Sequence, residues 1–187
     1  MGQGAAPGPS MPRCEDPAAS LERPGMDEFP PAPLNATARV VTTMVFLLTA
    51  FFVFLVFRHP CSHPFAAVPM LLVPAVSWGL SIRNYSLEDG KLVIHRPIAS
   101  RRIALSPELT AYLDPDAARG ALNLSGNGGI FGYQGVFRNG RLGNFSAYAT
   151  DWEFGVVVKT GGKTFVLTPE DPVAFMARLR ETADSLK

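Results

Sequence analysis

Three potential metal ligands, His59, Cys61 and His63, alternate within the stretch Arg58-His-Pro-Cys-Ser-His-Pro64. Imidazole and thiolate side chains bind zinc or copper, but such centres draw ligands that converge from separate elements. Nothing nearby supplies a fourth, so the spacing predicts a proline-bounded turn and no metal. From residue 84 onward the chain holds one histidine, His95, and no cysteine. If Leu92 and Ile94 face a core, strand alternation turns His95 the other way. Asp151 and Glu153 flank Trp152. Paired carboxylates can do acid–base work, but carboxylates this close in sequence usually line a turn. The pairs Arg101-Arg102 and Arg138 with Arg141 read as solvated surface. No set of nucleophile, base and orienting group is present. The expectation is a non-enzyme with no catalytic residue, cofactor or metal.

The most unusual stretch is Ser125-Gly-Asn-Gly-Gly-Ile-Phe-Gly-Tyr-Gln-Gly-Val-Phe137. Its glycines suggest a phosphate cradle, but no Lys-Ser or Lys-Thr follows them, so this is not a P-loop. No dinucleotide spacing lies between a strand and a helix either. Alternating glycine and aromatic residues fit a tightly bent strand whose rings pack over bare backbone. Gly128, Gly129, Phe131, Gly132, Tyr133, Gly135 and Phe137 are the candidate interaction loop.

The elements that position these groups are dominated by two apolar runs, Val40–Phe57 and Phe65–Ile82, each of 18 residues without a charge. That length is the lower limit for a helix crossing a hydrocarbon core. Phe46, Phe51, Phe52, Phe54 and Phe57 surround the first run, so it has no polar face and belongs in lipid or a deep core. About 100 remaining residues cannot bury two such helices. Pro69 and Pro74 in the second run are tolerated in transmembrane helices, and Trp78 suits an interfacial anchor. Residues 39–83 are therefore expected to form a transmembrane hairpin with spans 40–57 and 65–82. Arg83, Lys91, Arg96, Arg101 and Arg102 follow it, against Arg58 in the loop and Arg39 before it. This bias predicts a multi-pass protein of the cell membrane with its soluble domain in the cytoplasm.

Residues 1–38 are rich in Pro, Gly and Ala and are expected to be a disordered tail. Residues 84–187 form the soluble domain. From Arg83 onward the chain carries 13 basic and 11 acidic side chains, a balance that argues against nucleic acid as a partner. Asp89-Gly90, Asn139-Gly140 and Gly161-Gly162 separate extended runs and predict hairpins. Six or seven strands close in sequence predict an antiparallel barrel or sandwich. Asp171 and Pro172 then suit the start of a helix, with Val173, Met176, Leu179, Ala183 and Leu186 along one side.

Three motifs in order carry a family resemblance: Gly128-Gly-Ile-Phe-Gly-Tyr-Gln-Gly-Val-Phe137, Leu142-Gly-Asn-Phe-Ser-Ala-Tyr-Ala-Thr-Asp151 and Pro169-Glu-Asp-Pro-Val-Ala-Phe175. Together with the opening Tyr85-Ser-Leu-Glu-Asp-Gly-Lys-Leu-Val-Ile94, this region resembles a bacterial pleckstrin-homology-like domain preceded by a two-helix membrane anchor. The resemblance implies an α+β, membrane-anchored chain: a seven-stranded, mainly antiparallel β-barrel capped by a C-terminal helix. It does not imply an enzyme. Relatives that bind phosphoinositides use basic residues around the first hairpin. Here that turn is Glu88-Asp89-Gly90, whose acids would repel a phosphate, so headgroup recognition there is not carried over. The resulting expectation is a membrane-anchored scaffold with a protein partner. The alternative is a sensor that binds a small ligand or lipid.

Overall fold

The computed structural model describes residues 28–58, 65 and 67–186. His59, Cys61 and His63, and most of the expected tail, lie outside the described residues. The elements are β1 (Glu28–Phe29), α1 (Ala36–Arg58), α2 (Ala67–Gly79), β2 (Asn84–Glu88), β3 (Lys91–His95), β4 (Arg101–Ala104), β5 (Thr110–Leu113), β6 (Leu122–Gly129), β7 (Gly132–Asn139), β8 (Gly143–Ala149), β9 (Val156–Thr160), β10 (Lys163–Leu167) and α3 (Pro172–Asp184).

The hairpins form where their turn residues require them. Asp89 and Gly90 have φ of 47° and 70°, and Gly161 and Gly162 have 54° and 71°. Positive φ at both central residues follows the right-handed twist of the flanking strands. Asp171 caps α3 by accepting from the Val173 and Ala174 amides at 3.1 and 3.0 Å. The buried stripe of α3 is Phe175, Leu179 and Ala183. Val173, expected to face inward, is 71% exposed because two residues of helix turn it to the face opposite the buried Phe175.

The strands form two sheets, not the expected closed barrel. One has the order β1-β2-β3-β4 and the other β5-β9-β10-β8-β7-β6. The physical reason lies at the seams. The chain passes between sheets through Ser106-Pro107, and the segment before α1 meets the second sheet around Pro30 and Pro31. Proline has no N–H to extend a ladder. The contact there is an isolated bridge, Pro31 to Pro169, beyond the end of the inner strand β10, so β1 and β6 remain open edges. The pairing is antiparallel except for β8 with β10, because β10 inserts between β8 and β9.

The main core lies between the sheets and α3 and contains Tyr85, Leu92, Ile94, Val156, Val158, Leu167, Phe175 and Leu179. Val157 and Val166 point to the other face of the larger sheet and join Phe137, Phe145, Ala147 and Ala117 in a second core. Consequently Val156, Val157 and Val158 are all fully buried. A strand covered on both faces reads as a continuous apolar run instead of an alternation.

The expected tail ends earlier than residue 38. Phe29 in β1 packs edge-on against Phe175 at 5.2 Å, and β1 adds a strand beside β2. Ala32 is 2% exposed, with its amide donating to Thr168 O at 2.8 Å and its carbonyl accepting from Thr150 Oγ1. Apolar contacts plus backbone pairing fix a short segment that composition alone would leave loose.

Helix α1 has 23 residues, so it is about 35 Å long and exceeds the roughly 30 Å hydrocarbon core of a bilayer. It is long and apolar enough to cross a membrane, and 6% of its most apolar window is buried. The expected second span is shorter. Helix α2 has 13 residues, about 20 Å of helix. Its apolar run is cut short at the domain, where Gly79 abuts Ile98, Ser81 turns back on Trp78 O, and Ile82 is buried in the main core.

Candidate functional site

The glycine-rich stretch forms the β6–β7 hairpin. Its register runs from Leu122 opposite Arg138 to Gly129 opposite Gly132, with Ile130 and Phe131 as the turn. A bulge lies between Asn123 and Ser125, leaving Leu124 without a partner. Gly126 and Gly135 face each other with φ of 120° and 140°. A Cβ on either would collide with backbone of the opposite strand. Gly126 and Gly135 are therefore set by close approach of two backbone strands in a hairpin, instead of by rings packing over one bent strand.

Phe131 has a φ of 55°. A bulky residue in the left-handed region costs on the order of 1–3 kcal/mol unless its surroundings hold it there. Asn127 closes the turn by accepting from the Ile130 amide at 3.0 Å and donating to the Ile130 carbonyl. The Phe131 amide donates to Thr42 Oγ1 on α1 at 3.0 Å. Its ring meets Phe46 edge-on at 5.9 Å. Gln134 adds a second local cost: it is 5% exposed, and its amide makes no hydrogen bond among the described residues.

The seven expected loop residues thus have different surroundings. Gly129 and Phe131 lie against α1, beside Val41, Thr42 and Phe46. Gly128 pairs with Tyr133 and Gly132 with Gly129 inside the hairpin, and Gly135 is the close-approach position. Tyr133 packs on Trp152 at 4.9 Å. Phe137 is 5% exposed, between Phe145 and Trp152, and belongs to the second core instead of a contact surface. Outside the tip, β6 is an edge strand, exposed from Leu122 through Gly126.

Asn35 is a site residue that sequence reasoning missed. Its Oδ1 accepts from the Ala38 amide at 2.8 Å, starting α1 four residues before the uncharged run. Its Nδ2 reaches the Tyr133 hydroxyl at 3.5 Å. An Asn immediately before an apolar helix is an N-cap signal. Beside it, where α1 and α2 meet the domain, lies a hollow of about 340 Å³. Pro33, Trp78, Ser81, Arg83, Phe131 and Thr150 are among the residues that line it.

The residues with chemical potential elsewhere are engaged structurally. His95 Nε2 lies 2.8 Å from Ser86 Oγ and 3.8 Å from Glu88 Oε1. Ser86 Oγ also bonds Glu88 at 2.9 Å and is on a residue 3% exposed. The carboxylate and the serine share one ring nitrogen, so Glu88 does not orient the imidazole from behind as a catalytic carboxylate does. Asp151 caps a 3₁₀ turn through the Glu153 amide. Arg141 pairs with buried Asp114 at 3.0 Å and does not join Arg138 in an anion patch. Arg101 and Arg102 are exposed on β4. No cluster of three metal-ligating side chains occurs among the described residues. Burial pushes the Tyr85 hydroxyl above the usual tyrosine range, against the opposing effect of its Thr168 hydrogen bond. It remains a neutral donor to Tyr148 O at 2.9 Å.

Two sheets capped by a C-terminal helix, preceded by apolar helices, set the context for comparison with known proteins. The sequence matches the family described as Bacterial PH domain over residues 83–183. The chain belongs to this family. No curated protein and no solved structure matches it. The PH domain begins at Arg83, directly after α2, so the helices and the β1 segment are additions on its N-terminal side. The hairpin tip that contacts α1 lies within the PH domain itself. A PH-like domain is a module for protein or lipid interaction, and that is the functional class the family match supports.

Proposed function

We propose that this chain is a non-catalytic, membrane-anchored interaction module in which two helices hold a PH domain at the cytoplasmic face and a protein partner pairs with β6. The observation that carries this reading is the open β6 edge. Eight residues long, it displays Leu122 at 69% and Leu124 at 54% exposure. It contains neither charge nor proline, the usual guards of an exposed edge. An extended segment can add to such an edge through backbone hydrogen bonds, with side-chain pockets giving selectivity.

The two-helix anchor is supported by connectivity. Asn35 and Ile82 are both fixed to the same domain, so an α1 that crosses the bilayer requires a return. The apolar segment from residue 65 to Gly79 is the available return path. The cluster Arg83, Lys91, Arg96, Arg101 and Arg102 on the domain side, against Arg58 at the far end of α1, favours a cytoplasmic domain.

The test is in-cell cross-linking of the full chain from the membrane fraction, in wild type and in a Leu122→Lys, Leu124→Lys variant. Leu122 and Leu124 are exposed, so the folded domain should tolerate both changes. A membrane protein recovered with wild type and lost with the edge variant supports the reading. The same partners in both would exclude β6 as the contact. Extraction of the protein by alkaline carbonate would exclude the anchor.

A further inference from the structure

The hollow where the helices meet the domain combines three properties. Its wall is apolar over Pro31, Ala32, Leu34, Ile82 and Phe131, and no carboxylate lines it. It contains one cation, Arg83, whose guanidinium lies 5.5 Å from the centre of the Trp78 ring. Arg83 forms no ion pair among the described residues, and Ser81 and Thr150 spend their hydroxyl protons on Trp78 O and Ala32 O. The remaining attraction in the hollow is therefore for an anion with an apolar attachment. It also lies where α1 and α2 leave the domain, which is the level of the lipid headgroups if the helices are in a bilayer. Tryptophan and arginine are favoured at that depth.

We propose that this hollow seats the headgroup of an anionic phospholipid, with its phosphate on Arg83 and its glycerol region against Trp78 and Phe131. This rests on the membrane-anchored reading above. It is separate from the first hairpin of the PH domain, where Glu88 and Asp89 stand. Arginine suits the role because its planar donor fork matches phosphate oxygens and stacks on an aromatic ring. Phe131 belongs both to the hollow and to the tip held by Thr42, so lipid occupancy and docking of the tip on α1 share one side chain.

The test begins with the full chain in membranes. Extraction by alkaline carbonate overturns both this proposal and the anchor. If the chain stays in the membrane, the protein is solubilised, delipidated and titrated with phosphatidylglycerol or phosphatidylcholine, with retained lipid counted by native mass spectrometry. Wild type should hold phosphatidylglycerol about tenfold more tightly than phosphatidylcholine, the effect of one charge-assisted contact. Arg83→Gln should abolish that preference, Arg83→Lys should keep part of it, and Arg102→Gln on β4 should leave it unchanged. Circular dichroism of each variant verifies folding. Equal retention of both lipids by wild type, or equal losses in Arg83→Gln and Arg102→Gln, would overturn the headgroup site while leaving the anchor intact. Displacement of phosphatidylglycerol by millimolar glycerol 3-phosphate would show that a soluble phosphate, not a lipid, is the ligand.

Discussion

The amide of Phe131 donates to Thr42 Oγ1 across a sequence separation of 89 residues, joining the tip of a PH-domain hairpin to an apolar helix. Thr42 Oγ1 in turn donates to Ala38 O at 2.7 Å, so this hydroxyl serves both partners. The link holds the left-handed Phe131 in place and fixes the direction in which α1 leaves the domain.

Replacing Thr42 with Val keeps the shape and removes the acceptor. The Phe131 amide then loses its partner, at a cost of about 1–3 kcal/mol. Hydrogen exchange at Phe131 should accelerate in Thr42→Val and stay near wild type in Thr42→Ser. Unchanged exchange in Thr42→Val would show that the bond does not hold the tip.

Tyr85 gives the domain a defined alkaline limit. Its folded pKa is raised, so its contribution to stability is intact below the unfolded value of about 10 and declines as pH rises above it. The decline from this group is about 1.4 kcal/mol per pH unit. Melting curves between pH 8 and about 11 should show the added loss in wild type and a smaller one in Tyr85→Phe. At neutral pH, Tyr85→Phe should be less stable by roughly 1 kcal/mol, because it gives up the bond to Tyr148 O. Identical alkaline slopes would contradict the assignment.

Gly135 has no room for a side chain and a φ of 140°. Gly135→Ala should therefore destabilise the domain by more than about 2 kcal/mol, beyond an ordinary surface change. Gly140→Ala is the control, since a Cβ there meets nothing within 4 Å. A chemical denaturation midpoint that moves equally for both would refute the close-approach reading.

Asn35→Ala removes the cap of α1 and should cost about 1 kcal/mol, whereas Asn35→Asp should retain most of it. The readout is exchange of the Ala38 amide, which bonds Asn35 Oδ1 directly. Equal protection in both variants would mean the helix start is held by its contacts with the domain alone.

Local chemistry made part of this architecture legible. Asp89-Gly90 and Gly161-Gly162 give the two tight hairpins because glycine relieves positive φ, and Asp171-Pro172 gives the start of α3 because both signals act within one turn. The seven glycine and aromatic loop residues read from sequence as one bent strand, but they fold as two paired strands and their turn, and their division between tip and core was not legible. That division depends on α1 reaching Phe131 and on Trp152 reaching Phe137, contacts between distant segments. The parallel pairing of β10 with β8 was hidden for the same reason: it skips over β9. The β1 segment was hidden by composition, since prolines that suggest a loose tail are compatible with the isolated bridge at Pro31. The short α2 was obscured because hydropathy does not distinguish Leu80-Ser-Ile82, which turns into the domain, from the helix before it.

The contact between Ala32 and Thr150, 118 residues apart, orders events during synthesis. A ribosome adds roughly 5–20 residues per second, so the N-terminal segment waits several seconds for the strands and turns that receive it. During that interval Val40 to Phe57 is already complete. The apolar helices are therefore synthesised first, and the N-terminal segment joins a domain that is finished later. Closure of the N-terminal segment on Thr150 and Thr168 is therefore a late event in synthesis, possible only after β8 and β10 have been made.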